Sequence, residues 1–249
     1  MRHSLSVFYT LFTVSTVITS SLHATAQPST SLAVEASVRD ALNGERALRR
    51  LSVSVSVDGR EVTLTGDLDT FWLKSEAIRR TLEVEEINLV VSEITLPPPE
   101  SDQALAEEVA KVVQRYPNYT VFDYLDGRVE NGTVTLWGKV TPTRNKAGEV
   151  FERVAKIRGV QDVQNNIDTL APSSGNENLR RLLARLVFRS THFQRFATSP
   201  NPPFHIIVDN RVVTLVGYVQ SDIEYRELER IVTQTQGVIR VENQLQRLR

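Results

Sequence analysis

Cysteine is absent from all 249 residues, which excludes disulfides, thiolate metal sites, a cysteine nucleophile and a lipid joined through an N-terminal cysteine. Methionine occurs only as Met1, and histidine only four times. Beyond the N-terminus no uncharged apolar run reaches the roughly eighteen residues that a membrane-spanning helix needs. Neither sign of charge is in excess. Lys and Arg number 29 against 30 Asp and Glu, a formal charge of −1, and this excludes a polybasic nucleic-acid binder. What is present, 41% hydrophobic and 24% charged residues, matches an ordinary globular protein, and the length admits one large domain or two to three small ones.

Residues 1–26 begin with Arg2, continue through an apolar run over 5–18 interrupted by Ser and Thr, and end in Ala24-Thr25-Ala26. This is the pattern of a secretory signal peptide with an A-x-A cleavage site before Gln27. An uncleaved anchor or a buried helix is the alternative, and the short, β-branched run counts against both. Removal of this segment leaves 28 basic and 30 acidic residues, with His192 and His205 as the remaining histidines. Two histidines without cysteine cannot close a structural zinc site. The expectation is an exported protein, periplasmic or secreted, with no metal, no cofactor and no transmembrane segment once the signal is removed.

One short unit is written three times, and repetition constrains fold more than any local propensity. Its anchor is Val62-Thr63-Leu64-Thr65-Gly66, then Val134-Thr135-Leu136-Trp137-Gly138, then Val213-Thr214-Leu215-Val216-Gly217. A turn signal precedes each: Asp58-Gly59, Asn131-Gly132 and Asp209-Asn210. Alternating apolar residues precede the turns, as in Val53, Val55, Val57 and Phe204, Ile206, Val208, which predicts β-hairpins. Gly159-Val160 and Gly237-Val238 follow 21 and 20 residues after the anchor glycine, each leading into a short strand.

The interval between reads as a helix, from Ala147, Val150, Phe151, Val154 in the second copy and Ile223, Leu228, Ile231, Val232 in the third. Gly159 and Gly237 are predicted at the helix C-cap, where a left-handed residue carries no Cβ penalty. A further amphipathic stretch lies ahead of each hairpin, with Val34, Val38, Leu42, then Leu105, Val109, Val112, then Leu179, Leu183, Leu186. The fold class is therefore α+β, three tandem αββαβ modules over 31–96, 102–170 and 176–248, each a small mixed three-stranded sheet. Pro97-Pro98-Pro99 is expected to be a stiff extended spacer and Pro172-Ser173-Ser174-Gly175 a flexible one.

The D/N-G turn, the V-T-L-x-G strand end and the G-V-x-x-V-x-N ending, kept over 159–165 and 237–243, resemble the BON family, named for bacterial osmotically induced and nodulation proteins. The first copy departs from it, with Glu86 for Gly and Ser92 for Asn. The resemblance implies two helices on one face of each sheet. It also implies an envelope role, in phospholipid binding, chaperoning or stress response, with no catalytic residue to carry over.

Catalytic signals are weak. G-x-S-x-G, phosphate-loop, dinucleotide and Ca-loop patterns are missing, and both remaining histidines lie outside any motif. Asp67 and Asp69 form a carboxylate pair, but their place before a helix fits capping. The absence of G-x-x-G and the net acidity argue against an RNA-binding KH domain. A non-enzymatic protein is expected.

Candidate interaction residues come from charge and aromatics. Residues 172–249 carry 11 basic and 7 acidic groups on an otherwise acidic chain. Arg181, Arg185 and Arg189 recur at spacing four beside Leu182 and Leu186, with Arg180 adjacent. Such a stripe suits anionic phospholipid headgroups, while the bland reading is a solvated face. Trp137 alternates away from Val134 and Leu136, so it projects from the opposite sheet face, toward a partner, a membrane or a neighbouring unit. Trp72 poses the same choice. Residues 190–203 read as an irregular lid over their own core in preference to an apolar binding loop. The leading expectation is peripheral binding to anionic phospholipid or an envelope protein, the alternatives being a periplasmic chaperone or a structural adaptor.

Overall fold

A computed structural model describes residues 28–199 and 201–248, so the expected signal peptide lies outside the described residues. Unit 1 comprises helix α1 (Pro28–Gly44), strands β1 (Ser54–Asp58) and β2 (Glu61–Asp67), helix α2 (Phe71–Leu82) and strand β3 (Leu89–Thr95). Unit 2 repeats the order with α3 (Asp102–Gln114), β4 (Tyr124–Glu130), β5 (Thr133–Val140), α4 (Lys146–Ala155) and β6 (Asp162–Thr169). Unit 3 has α5 (Ser174–Arg189), a 3₁₀ turn (Gln194–Phe196), β7 (Phe204–Asp209), β8 (Val212–Val219), α6 (Asp222–Thr233), β9 (Arg240–Asn243) and β10 (Gln246–Arg247). In every unit the first two strands pair antiparallel and the last pairs parallel to the second. A parallel pair needs a crossover, and the second helix of each unit supplies it.

Two-residue turns close the hairpins. Asn131 and Gly132 have φ of 51° and 75°, and Asn210 and Arg211 have 47° and 66°, the left-handed pairs whose twist suits a hairpin. The first and third turns thus lie one residue beyond their predicted places, because Asp58 pairs with Glu61 and Asp209 with Val212. The Arg211 side chain donates to the Gly237 carbonyl at 2.8 Å and its backbone N–H to Asn176 Oδ1 at 3.2 Å, which holds it in a conformation rare for arginine.

The anchor glycines mark where the chain entering the first strand approaches the second too closely for a side chain. Gly66, Gly138 and Gly217 have φ of 147°, 131° and 96°. A Cβ at Gly66 would lie 2.6 Å from the Ser52 carbonyl oxygen, and at Gly138 and Gly217 it would collide with the carbonyls of Tyr124 and Pro203. Gly159 and Gly237 are also left-handed, but they are not the caps. The helix C-caps are Lys156 and Gln234 in right-handed conformation, and the glycines fall three residues later in the loop. Glu86 fills that place in unit 1 without a positive φ. At the other helix ends Thr70, not Asp67 or Asp69, caps α2: its hydroxyl accepts from Leu73 N, while Asp67 accepts from the Thr95 hydroxyl.

Each unit has its own core, built from the helix stripe and one face of the sheet. That of unit 1 draws only on its own residues, whereas those of units 2 and 3 do not. Phe71 and Trp72 of unit 1 pack on the core of unit 2, with Phe71 edge-on to Phe151 at 6.4 Å and Lys156 Nζ 4.2 Å from the Trp72 ring. Val121 of unit 2 is buried in the core of unit 3, and its carbonyl accepts from Ile206 N on the β7 edge at 2.7 Å. The proline spacer is pinned, since Gln161 Nε2 donates to the Pro97 carbonyl at 2.7 Å. The second spacer is not a flexible tether: Ser173 caps α5, and Ser174 and Gly175 belong to the helix. Of the expected lid, Phe193 and Phe196 pack on the unit 3 core, with Phe193 fully buried and both edge-on to Phe204.

Beside the second junction lies a buried ion pair. Lys146 Nζ is 2.6 Å from Asp123 Oδ2, and Asp123 also accepts from the backbone N–H and hydroxyl groups of Thr120 and Thr141. His205 of unit 3 packs against Tyr119 and Tyr124 at centroid distances of 5.3 and 5.8 Å. Burial pushes its pKa down to about 4, outweighing the nearby backbone of Thr120 and Asp123 and the Asp123 charge, which favour the cation.

Gly138→Ala is expected to lose about 2–4 kcal/mol in urea denaturation, from the steric collision and the positive φ together. Gly44→Ala, where a Cβ meets nothing within 4 Å, is the control and should be within about 1 kcal/mol of wild type. His205, neutral when folded, contributes its full stabilisation above its unfolded pKa of 6.5, and loses it as pH falls toward the folded value of about 4. That amounts to about 3 kcal/mol over the window, and His205→Gln should flatten this part of the stability curve measured between pH 7 and 4.

Candidate functional site

Helix α5 sorts its residues by face. Leu179, Leu183 and Val187 are buried against β7 and α6, which turns Arg181, Arg185 and Arg189 to solvent along one line. Leu182 is half-buried beside them and Leu186 is 38% exposed. Arg181 bonds Asn178 Oδ1 and stands 3.8 Å from Glu177. Among the described residues no carboxylate lies within 4.0 Å of Arg185 or Arg189.

Arg180 is not part of this surface. It is 2% exposed, and its guanidinium donates to the Val208 carbonyl on β7 at 2.8 Å and meets Glu177 at 3.3 Å. The helical advance of about 100° per residue turns it from the stripe toward the sheet edge, so its charge supports the fold. Trp72 is likewise withdrawn, spent on the junction between units 1 and 2. Trp137 does stand on the outer face of β5, 38% exposed, opposite Asp126 on β4 and Asn166 on β6. Its polar neighbours keep the apolar area around it small.

A cleft of about 390 Å³ opens between α3 and β4 and is closed at one end by unit 3 through His205 and Tyr218. Its floor is apolar, with Val109, Val113, Leu125, Val129 and Leu136. Its mouth is aromatic. The Tyr119 hydroxyl accepts from Leu125 N at 3.0 Å, and the Tyr124 hydroxyl donates to Asp126 Oδ2 at 3.2 Å. Burial raises the Tyr119 pKa well above the usual phenol, so it remains a hydroxyl.

The polar cluster of Asp123, Lys146, Thr141 and Thr120 was invisible in the repeat pattern. Two signals for it exist in the chain: Lys146 at the first position of a helix, where the macrodipole disfavours a cation, and the Thr120-x-x-Asp123 spacing. Asp123 and Lys146 are at most 2% exposed, and five donor groups converge on Asp123, so the cluster is closed to a substrate and braces the junction. Among the described residues no group of three or more His, Asp or Glu converges as a metal site.

The chain is similar to two solved structures: the C-terminal domain of CdsD from Chlamydia trachomatis, at 13% identity over 86% of this chain and 96% of that one, and the periplasmic domain of PrgH from S. typhimurium, at 14% over 84% and 100%. Their TM-scores of 0.25 and 0.21 are too low for either to bear on fold or role. No curated protein sequence matches the chain significantly. The BON domain, in contrast, matches three successive segments, residues 31–98, 101–171 and 194–248, each containing one hairpin and the helix and strand that follow it. Three copies of that domain account for most of the polypeptide, and the protein belongs to the BON domain family.

Proposed function

We propose that this chain is an exported, non-enzymatic envelope protein that binds anionic phospholipid surfaces peripherally through α5 of unit 3. One observation carries the reading: three arginines on a single exposed helical line, two of them without a carboxylate partner among the described residues, flanked by the half-exposed Leu182 and Leu186. A cationic row beside apolar side chains complements a headgroup layer above acyl chains. Membership of the BON family, with the phospholipid association expected of it, supports this reading, as does the positive balance of the third unit. No helix among the described residues is long and apolar enough to cross a membrane. Attachment of this kind is reversible and weakens with salt, because surface charges are screened over about 8 Å at physiological ionic strength.

Holding of unfolded clients or of a protein partner through Trp137 is the second reading. The polar residues on both sides of that ring leave little contiguous apolar surface for it.

The mature chain is expected to co-sediment with vesicles containing phosphatidylglycerol and to remain in solution with phosphatidylcholine alone. Arg181→Glu, Arg185→Glu and Arg189→Glu together should lower the affinity at least about a hundredfold at low salt, taking about 1 kcal/mol for each arginine. Equal sedimentation of the triple variant would remove the stripe from the mechanism, and absence of wild-type binding at low salt would end the membrane reading.

A further inference from the structure

The three units differ at the centre of their first strand. Val55 faces Leu64 in β1 and Ile206 faces Leu215 in β7, and both are buried core residues. The same register position in β4, opposite Leu136, is Gly127. A Cβ there would point to the helix side, 3.3 Å from Leu136 Cδ2, so the side chain that unit 2 omits is the one that would fill its own core. The facing helix is trimmed as well. Ala106 follows Leu105 as Arg180 follows Leu179, yet Arg180 reaches across to the β7 edge whereas Ala106 reaches nothing. Ala110 lies one turn further on, where unit 3 likewise has alanine, Ala184. Shortened side chains on both walls open the cleft in unit 2.

We propose that this cleft binds an uncharged amphiphile with one slender alkyl chain, whose head accepts a hydrogen bond from the Tyr119 hydroxyl. The site lies in unit 2, apart from the α5 stripe, and does not depend on it. Its volume falls within the roughly 300–1,000 Å³ of small-ligand pockets, and its width, one helix against one strand, suits a single chain. The Tyr119 hydroxyl accepts from Leu125 N, and no acceptor among the described residues takes its proton. Charge decides the head. Asp126 is the one charged side chain among the lining residues, which include no Lys or Arg, and His205 is neutral above its depressed pKa. A carboxylate or phosphate would therefore find no counter-charge in the cleft, with Asp126 of the outer face bordering it at the β4 edge, whereas an ester or alcohol meets a donor.

The test uses the full mature chain at pH 7.4 and the uncharged fluorophore N-phenyl-1-naphthylamine, displaced by monolaurin or by laurate below their micelle concentrations. Saturable fluorescence is expected, with monolaurin displacing the probe at a concentration at least about tenfold lower than laurate. Gly127→Val, which restores the side chain of unit 1, and Ala106→Leu, which fills the cleft from the helix, should each weaken monolaurin binding at least about tenfold with circular dichroism unchanged. Should one variant fail to fold, the other decides. Unsaturable fluorescence, undiminished binding in the folded variants, or equal displacement by laurate would each overturn the proposal. Vesicle binding by the arginine stripe is read separately, since neither cleft variant alters α5.

Discussion

Units 2 and 3 do not complete their own cores, and each borrows from the unit before it. A module of about 70 residues buries only some 60% of the surface its unfolded chain exposes, which leaves marginal stability. The chain answers by lending forward: Phe71 and Trp72 close the core of unit 2, and Val121 closes that of unit 3. Cooperativity between neighbours follows from this, as in other repeat proteins where interface terms add to weak units. It also explains why the spacers are short and pinned. A loose tether would raise the entropic cost of bringing each borrowed side chain home.

The junctions are chemically different, and the difference matters for mobility and pH response. Between units 1 and 2 the contact is aromatic, Phe71 on Phe151 with Lys156 over Trp72, and it carries no buried charge. Between units 2 and 3, backbone pairing of Ile206 with Val121 meets a saturated Asp123–Lys146 pair and a neutral His205. Buried polar groups cost free energy unless fully partnered, so this second junction has few acceptable geometries. Acidification acts on it through His205, which must take up its proton in a site that disfavours the charge.

Repetition of a scaffold frees its individual positions to diverge. The anchor glycines share one constraint: a carbonyl at or just before the start of the first strand occupies the space of a side chain in all three copies. Elsewhere a single position takes opposite roles. Arg180 caps the edge of β7, while Ala106 in the matching place leaves β4 uncovered beside Gly127. Thr65, Trp137 and Val216 hold one register on the outer sheet face, opposite Ser54, Asp126 and His205 respectively. Unit 3 presents its cations on α5, unit 2 an apolar cleft at β4, and unit 1 neither, so that copies of one fold expose different surfaces.

Period and punctuation were legible without coordinates. The V-T-L-x-G anchors, the turn residues and the alternating strands fix three αββαβ modules, because a hairpin and its crossover helix are specified by contacts close in sequence. The exposed row of Arg181, Arg185 and Arg189 was legible for the same reason, being a property of one helix. What lay beyond reach depends on residues far apart in the chain. Whether Arg180 or Arg181 meets water is set by the β7 carbonyl that lies beside one of them. That Trp72 is a wedge, that Lys146 is buried, and that Gly127 opens a cleft all follow from how neighbouring units and facing walls meet. Local pattern determines the module; only tertiary packing decides which of its surfaces remain free, since burial belongs to pairs of elements and not to any one of them.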